Sequence, residues 1–500
     1  MKIPSRPQPD ISSKATWGLA LIIGGFVVYF AYYVILQHAA FETFGYDLAN
    51  VSQSIWNTLH GRPMAMTTRE GLSSRWGGHF EPILLLLIPI YAIFPTPVTL
   101  TVLQAVIVAI GAFPIFWIAQ DLLRSDWAGV VFAGVYLMLP ALQAATTFDF
   151  HGVTLAATFL AFALWALLQK RYLAFAMSSL LAMSCKEDMP LLVLMMGLYI
   201  LLIQRRWKEG STTIVVSAAW FIIANFVIIP AYSPIQDNIH IVRYSGLGSN
   251  LEEVMLSFFE HPLRVLIIAF EPPKLLYWVR LTMPVAFTSL LDPTLLLLSL
   301  PSLAINTLSS EPTVYRPDTF HYTAPIVPFI AVSSISGIAR LSRWLGRKNE
   351  NRYIHWRMRL LTVVLGASLG YHTLAGYTPL RLGFQWPSPD THDTLTKQML
   401  CRIPPQASIS AQNSLASHLA NRADIYIFPK VKDAEYIALD TQSDFYPIRD
   451  RKEFCQEVQQ LVAGSSYGVI YSTDGLLLLR RNVPDVVSVS PTLICNDASQ

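Results

Sequence analysis

The sequence predicts a polytopic α-helical membrane protein that carries a small α/β region at its C-terminal end. Three observations carry this. Of 500 residues, 53% are hydrophobic and only 14% are charged, against about 25% charged in soluble domains. The mean hydropathy is +0.42. Apolar runs of bilayer length recur from residue 16 to residue 377, and none follows. Water cannot accommodate that much apolar surface, which excludes disorder, fibrous repeats and a conventional cytosolic enzyme. Lys and Arg number 36 against 33 Asp and Glu. That near balance gives no electrostatic footprint for nucleic acid.

Crossing the hydrocarbon core takes roughly 20 apolar residues as a helix. Runs that qualify to within a few residues are 16–38, 98–120, 127–144, 152–168, 172–184, 189–204, 212–230, 274–291, 294–308, 321–340 and 360–377. About eleven transmembrane helices are expected. The first run is over twenty residues long and lacks a small-x-small cleavage site, so it reads as an uncleaved anchor. The run 83–94, bracketed by Pro82 and Pro95, decides the parity. If it does not cross, sixteen Lys and Arg fall in about 55 loop residues on one side and seven in about 110 on the other. Counting it as a crossing moves Lys170–Arg171 and Arg205–Lys208 to the sparse side, against the positive-inside rule. The segment is therefore expected to be re-entrant, the N-terminus cytoplasmic and the tail extracytoplasmic.

On this map residues 1–377 form the membrane domain, with outer loops 39–97 and 231–273. Residues 378–500 form an extracytoplasmic α/β domain. In that tail Asp424–Phe428, Tyr436–Asp440, Tyr467–Ser472 and Leu476–Arg480 read as strands, and Ser472-Thr473-Asp474-Gly475 as a hairpin turn. Helical spacing covers 390–402 and 450–463. Cys401, Cys455 and Cys495 all lie there, and a Cys401–Cys455 disulfide is expected, one cysteine from each helix.

Ionisable groups at membrane depth are costly and default to functional candidates. Here they gather in the loops of the expected outer face. Asp47 opens a stretch in which Leu48, Val51, Ile55 and Leu59 recur at helical spacing, an amphipathic helix for the interface. Asp47 is then either its cap or a boundary carboxylate. A boundary carboxylate can act as general base on an acceptor hydroxyl or help hold a divalent metal. Gly77-Gly78 permits close backbone approach to a ligand, and His79 and Glu81 follow. Asp149 and His151 flank Phe150 at a spacing that suits two metal ligands from one extended turn. Lys186, in Lys186-Glu187-Asp188, is either part of a solvated turn or a point charge for phosphate. Arg316, His321 and Tyr322 offer donors for phosphate oxygens, or simply interfacial anchoring. The chain has no Walker A loop, HExxH or dinucleotide fingerprint.

Several stretches resemble one family. They are Asp47-Leu48 through Ser54-Ile55-Trp56-Asn57-Thr58-Leu59-His60-Gly61-Arg62-Pro63, Gly78-His79-Phe80-Glu81-Pro82, Phe148-Asp149-Phe150-His151, Cys185-Lys186-Glu187-Asp188 and Phe320-His321-Tyr322-Thr323-Ala324-Pro325. Together they are similar to the bacterial membrane proteins grouped as domain of unknown function 2079. The layout in turn resembles the glycosyltransferase C superfamily. That likeness implies a polyprenyl-phosphate sugar donor, transfer at the outer face of a bacterial inner membrane, and a carboxylate of the first outer loop as base. Asp47 matches that carboxylate, His79 and Pro82 a His-Pro stretch, and Asp149 a second acid. Asp47 and Asp149 are thus the catalytic candidates. His79, Glu81, His151, Lys186, Arg316, His321 and Tyr322 are the substrate-binding ones. The alternative is a non-enzymatic membrane protein, a transporter or an envelope-assembly scaffold. A transporter places charges near the midplane on broken helices, whereas these runs are nearly free of charge.

Overall fold

The computed structural model describes residues 12–235, 239–347 and 349–488. Four helices are long and apolar enough to cross a bilayer: Ser13–Ala39, Pro97–Leu123, Trp207–Tyr232 and His321–Gly346. A fifth crossing is available if Asp126–Met138 and Pro140–Thr147, bent by 51° between them, count as one. Pro140 lacks the N–H that would continue the helix and crowds the preceding turn, which accounts for the bend.

Length and composition therefore support four or five spans among the described residues, and the expected count of eleven is not confirmed. The remaining runs fold as shorter pieces. Tyr172–Met183 has 12 residues, about 18 Å at 1.5 Å per residue, against a core of about 30 Å. The segment at 83–94 forms an 11-residue helix, Ile83–Ile93. The run 274–291 stops being α-helical at Thr282 and continues as two 3-10 turns, Met283–Val285 and Thr288–Leu291, between which the left-handed Ala286 (φ 50°) and Phe287 (φ 58°) turn the chain. The run 294–308 forms one 16-residue helix, Pro293–Leu308, with a 3-10 turn at Leu297–Ser299. Apolar runs that are covered by protein need not reach bilayer length. At the centre is Gly152–Leu168, with thirteen of its 17 residues buried. It packs on Pro97–Ile110, Ala112–Leu123 and Val327–Gly346. Its alanines at 156, 157, 161, 163 and 166 let those helices approach closely.

The C-terminal region holds a five-stranded sheet. Its strands are β1 (Ile409–Ala411), β2 (Ile425–Ile427), β3 (Tyr436–Asp440), β4 (Tyr467–Thr473) and β5 (Leu476–Arg481), in the order β2-β1-β3-β5-β4. The first three are parallel, and β5 runs antiparallel to β3 and β4. Asp474 (φ 50°) and Gly475 (φ 76°) make the β4–β5 turn, where two positive φ angles suit the twist of a tight hairpin. Alternation along the strands splits the core. Ala438, Leu476 and Leu478 face Met399 and Leu400 of the Thr391–Leu400 helix. Ile437, Leu439, Leu477 and Leu479 face Phe454, Val458 and Val462 of the Arg451–Ala463 helix. The sheet thus lies between the two helices, and this corrects the expected disulfide. Cys401 is a free, exposed thiol. Cys455 is disulfide-bonded, to a partner outside the described residues. Cysteines on opposite sides of a sheet exceed the roughly 7 Å Cα separation that a disulfide bridges.

This α/β layer is docked on the bundle. Thr43 Oγ1 and Ser417 Oγ lie 2.8 Å apart, Tyr46 N–H donates to Asn413 Oδ1 at 3.1 Å, and Gln53 Nε2 donates to the Ala423 carbonyl at 2.9 Å. Gly45 permits the approach, because a Cβ there would lie 2.5 Å from Ile427 Cδ1 and 2.8 Å from Ala416 Cβ. The polar face of the Asn50–Leu59 helix is consequently enclosed, with Asn50, Ser52, Gln53 and Ser54 at most 1% exposed. An amphipathic helix lying on an interface was expected, and here its polar side is capped by the docked sheet region.

Candidate functional site

The loops converge on one cavity of about 1260 Å³, large even for a small-molecule site. One part is apolar, with Leu191, Phe221, Val254, Met255, Phe258 and Leu300 among its lining. The other is densely charged. Arg69, Arg75, Lys186, Arg243 and Arg449 line it together with Asp47, Glu70, Glu187, Asp188, Glu311 and Asp444.

Asp47 sits in a single π-helical turn, Gly45–Ala49. Its side chain does not cap the helix that follows. Asp47 Oδ1 lies 3.2 Å from His151 Nε2, and the carboxylate stays 30% exposed to the cavity. His151 Nδ1 faces the Phe148 carbonyl at 3.2 Å, so each ring nitrogen has an oxygen neighbour. Burial works against the Asp47 charge. The hydrogen bond from His151, with the charges of His151, Arg75 and Arg69, outweighs it and holds the pKa below the ordinary carboxylate value.

Asp149 stands behind Asp47, 2% exposed and outside the cavity lining. Its Oδ2 accepts the Phe44 N–H at 3.0 Å, and its Oδ1 has no hydrogen-bond partner among the described residues. Burial first and the Asp47 charge second push its pKa well above the ordinary value, against the pull of that N–H. The two carboxyl groups are therefore driven apart, the Asp47 pKa downward and the Asp149 pKa upward. The turn that carries Asp149 is strained, with φ 44°. Gln104 pins it, its Nε2 donating to the Asp149 carbonyl at 2.6 Å and its Oε1 accepting the His151 N–H at 2.9 Å.

Opposite, His79 Nδ1 donates to Glu187 Oε1 at 2.9 Å, and the Phe80 N–H meets Glu187 Oε2 at 3.2 Å. Burial and the Arg75 charge lower the His79 pKa well below its ordinary value, so the ring is neutral. Lys186 pairs with Asp188 at 3.4 Å. Its burial is outweighed by Asp188 and Glu187, which raise its pKa, so it keeps its charge. His321 stacks on His151 with centroids 3.5 Å apart. Arg243 lies over the Tyr322 ring at 5.5 Å. Neither Arg69 nor Arg243 has a side-chain ion pair or hydrogen bond among the described residues.

The family model described as "Predicted membrane protein (DUF2079)" matches residues 37–478. The chain belongs to this family. No curated protein matches its sequence. Among solved structures, the crystal structure of ArnT from Cupriavidus metallidurans in the apo state is similar, with a TM-score of 0.53 and 12% identity. The match covers 93% of this chain and 98% of that chain. At that identity the likeness is one of fold.

Of the nine candidate residues, this DUF2079 chain brings Asp47, His79, His151, Lys186, His321 and Tyr322 to the cavity wall. Asp149 lies just behind it. Glu81 is buried beneath the wall, where its Oε2 accepts from Arg75 Nε at 2.8 Å. Arg316 belongs to a different pocket. The paired glycines approach the chain rather than a ligand, Gly77 lying against the Tyr232 carbonyl and Leu72. Among the described residues no group of three or more His, Cys, Asp or Glu side chains is placed to hold a metal ion. The divalent metal considered for Asp47 therefore finds no ready ligand set. Sequence reasoning missed Arg69, Arg75 and Arg243 as site residues, although a signal existed. They and Lys186 are four of the seven cations on the sparsely charged side.

Proposed function

We propose that this protein is a membrane glycosyltransferase that moves a sugar from a polyprenyl-phosphate donor to an acceptor hydroxyl at the extracytoplasmic face of a bacterial inner membrane. The observation that carries this reading is Asp47: an ionised carboxylate open to a cavity whose walls are apolar on one part and cationic on another. The apolar part suits a prenyl chain. Arg69, Arg243 and Lys186 suit its phosphate, an energetic leaving group that needs no nucleotide motif. The acceptor oxygen bonds to the anomeric carbon as the bond from that carbon to the phosphate oxygen breaks. Asp47 takes the hydroxyl proton, and polyprenyl phosphate leaves with the bonding electrons. A single displacement of this kind inverts the anomeric centre. His151 is a positioning residue that fixes Asp47. Asp149 holds the Phe44 N–H and the turn before Asp47. The fold likeness to ArnT and the sequence resemblance to the glycosyltransferase C superfamily both support the reading. The test is reconstitution in liposomes with radiolabelled polyprenyl-phosphate hexoses. Labelled product and free polyprenyl phosphate are expected, and a protein inert toward every such donor puts the transport or scaffold reading in front.

A further inference from the structure

The loop 309–320 is a partition. Glu311, Thr313, Val314 and Phe320 line the large cavity, while Pro312, Tyr315, Arg316, Asp318 and Thr319 line a second pocket of about 620 Å³ on its other side. Three guanidinium groups meet in that second pocket, those of Arg280, Arg316 and Arg381, against the single carboxylate of Asp318. Arg280 reaches Asp318 at 3.5 Å. Arg316 and Arg381 have no side-chain ion pair or hydrogen bond among the described residues. Two uncompensated arginines facing one concavity leave an excess of positive charge that an anion would neutralise, and their planar donors match phosphate oxygens. Tyr277, Tyr315 and Tyr377 add aromatic wall. The volume exceeds what a bare phosphate fills. At the rim Leu276 and Leu374 are 49% and 62% exposed, so the pocket opens beside an apolar surface.

We infer that this second pocket is a binding site for a phosphate-bearing headgroup, held by Arg316 and Arg381. It is distinct from the cavity around Asp47 and does not depend on the proposed transfer reaction. The shared chemistry is a phosphate ester or free phosphate, and the exposed leucines favour the membrane lipid as its source. Because the partition loop is common to both cavities, the ligand would buttress the wall of the large one.

The full chain in detergent, purified from membranes, tests this by two arms. In the first, native mass spectrometry follows retention of phosphatidylglycerol against phosphatidylcholine. In the second, calorimetry follows inorganic phosphate. The variants are Arg316→Gln, Arg381→Gln and the double substitution. These arginines are exposed and unpaired, and the single variants serve if the double does not fold. Selective retention of phosphatidylglycerol, weakened about tenfold or more in the double variant, is expected for a lipid source. Phosphate binding lost in the same variant, without lipid selectivity, assigns the pocket to a soluble phosphate. Binding of either ligand that is the same in wild type and variants overturns the inference, as does no binding of either.

Discussion

Glu81→Gln is the perturbation whose size the structure sets most directly. Glu81 Oε2 lies 2.8 Å from Arg75 Nε and 2.7 Å from Nη2, with side-chain exposures of only 3% and 6%. At 2.7 Å and an effective dielectric of about 20, the attraction is roughly 6 kcal/mol before desolvation is counted. Glutamine keeps the size and removes the charge, stranding the Arg75 guanidinium in a buried site. Breaking a buried pair on one side costs about 3–5 kcal/mol. The companion variants are Arg75→Met and the double Arg75→Met/Glu81→Leu, which removes both charges and should regain most of the loss. Denaturant titration of the detergent-solubilised protein, run as a double-mutant cycle, measures the coupling. A coupling above about 2 kcal/mol is expected. A value below about 0.5 kcal/mol is what a solvated surface pair gives, and it would refute the claim that this pair is a buried support beneath the cavity.

Three further outcomes follow from the same structure. Gly152→Ala should destabilise by about 1–3 kcal/mol, since its Cβ would sit 2.8 Å from the Cys185 carbonyl and 3.0 Å from Glu81 Oε1; an unchanged unfolding midpoint contradicts that packing. Without reductant, a maleimide should label Cys401 and leave Cys455 untouched, with Cys455 appearing by peptide mapping only after reduction. His392 bridges Asp474 at 2.8 Å and Asp440 at 3.0 Å. Burial lowers its pKa, but the bonds to those carboxylates outweigh this and raise it above its ordinary value. Its contribution is then full below that ordinary value of about 6.5 and lost as pH rises through the raised one. The melting temperature of the sheet region should fall as pH rises above about 6.5, and His392→Gln should flatten the slope.

Much of the site was legible because charge is scarce in this chain. Asp47, His79, His151 and Lys186 stand out against apolar neighbours, and all four reach one cavity. Arg316 stood out for the same reason and went elsewhere, because successive residues of the partition loop face opposite sides. Asp444, Tyr446 and Arg449 were beyond reach, since their place in the cavity wall depends on how the sheet region docks. Strands β3 and β5 were legible as short β-type stretches between polar turns, whereas β1 is only three residues long. The expected span count was not confirmed, for one physical reason. An apolar run is equally satisfied by lipid or by neighbouring helices, and Gly152–Leu168 has the latter. The disulfide failed because helix assignments say nothing about which face of a sheet each helix covers.

Asp47, and not Asp149 buried behind it, is the proposed base, and one paired measurement separates them. Asn mimics a protonated carboxyl group in shape but cannot take a proton. Transfer from a polyprenyl-phosphate sugar should therefore fall by 10²–10⁴-fold in Asp47→Asn, the typical weight of a general base. In Asp149→Asn the rate should stay within about tenfold of wild type, because Asp149 is buried outside the cavity lining and does not reach the acceptor hydroxyl. Both variants should fold to normal abundance. Equal loss in the two, or normal transfer by Asp47→Asn, would contradict the assignment.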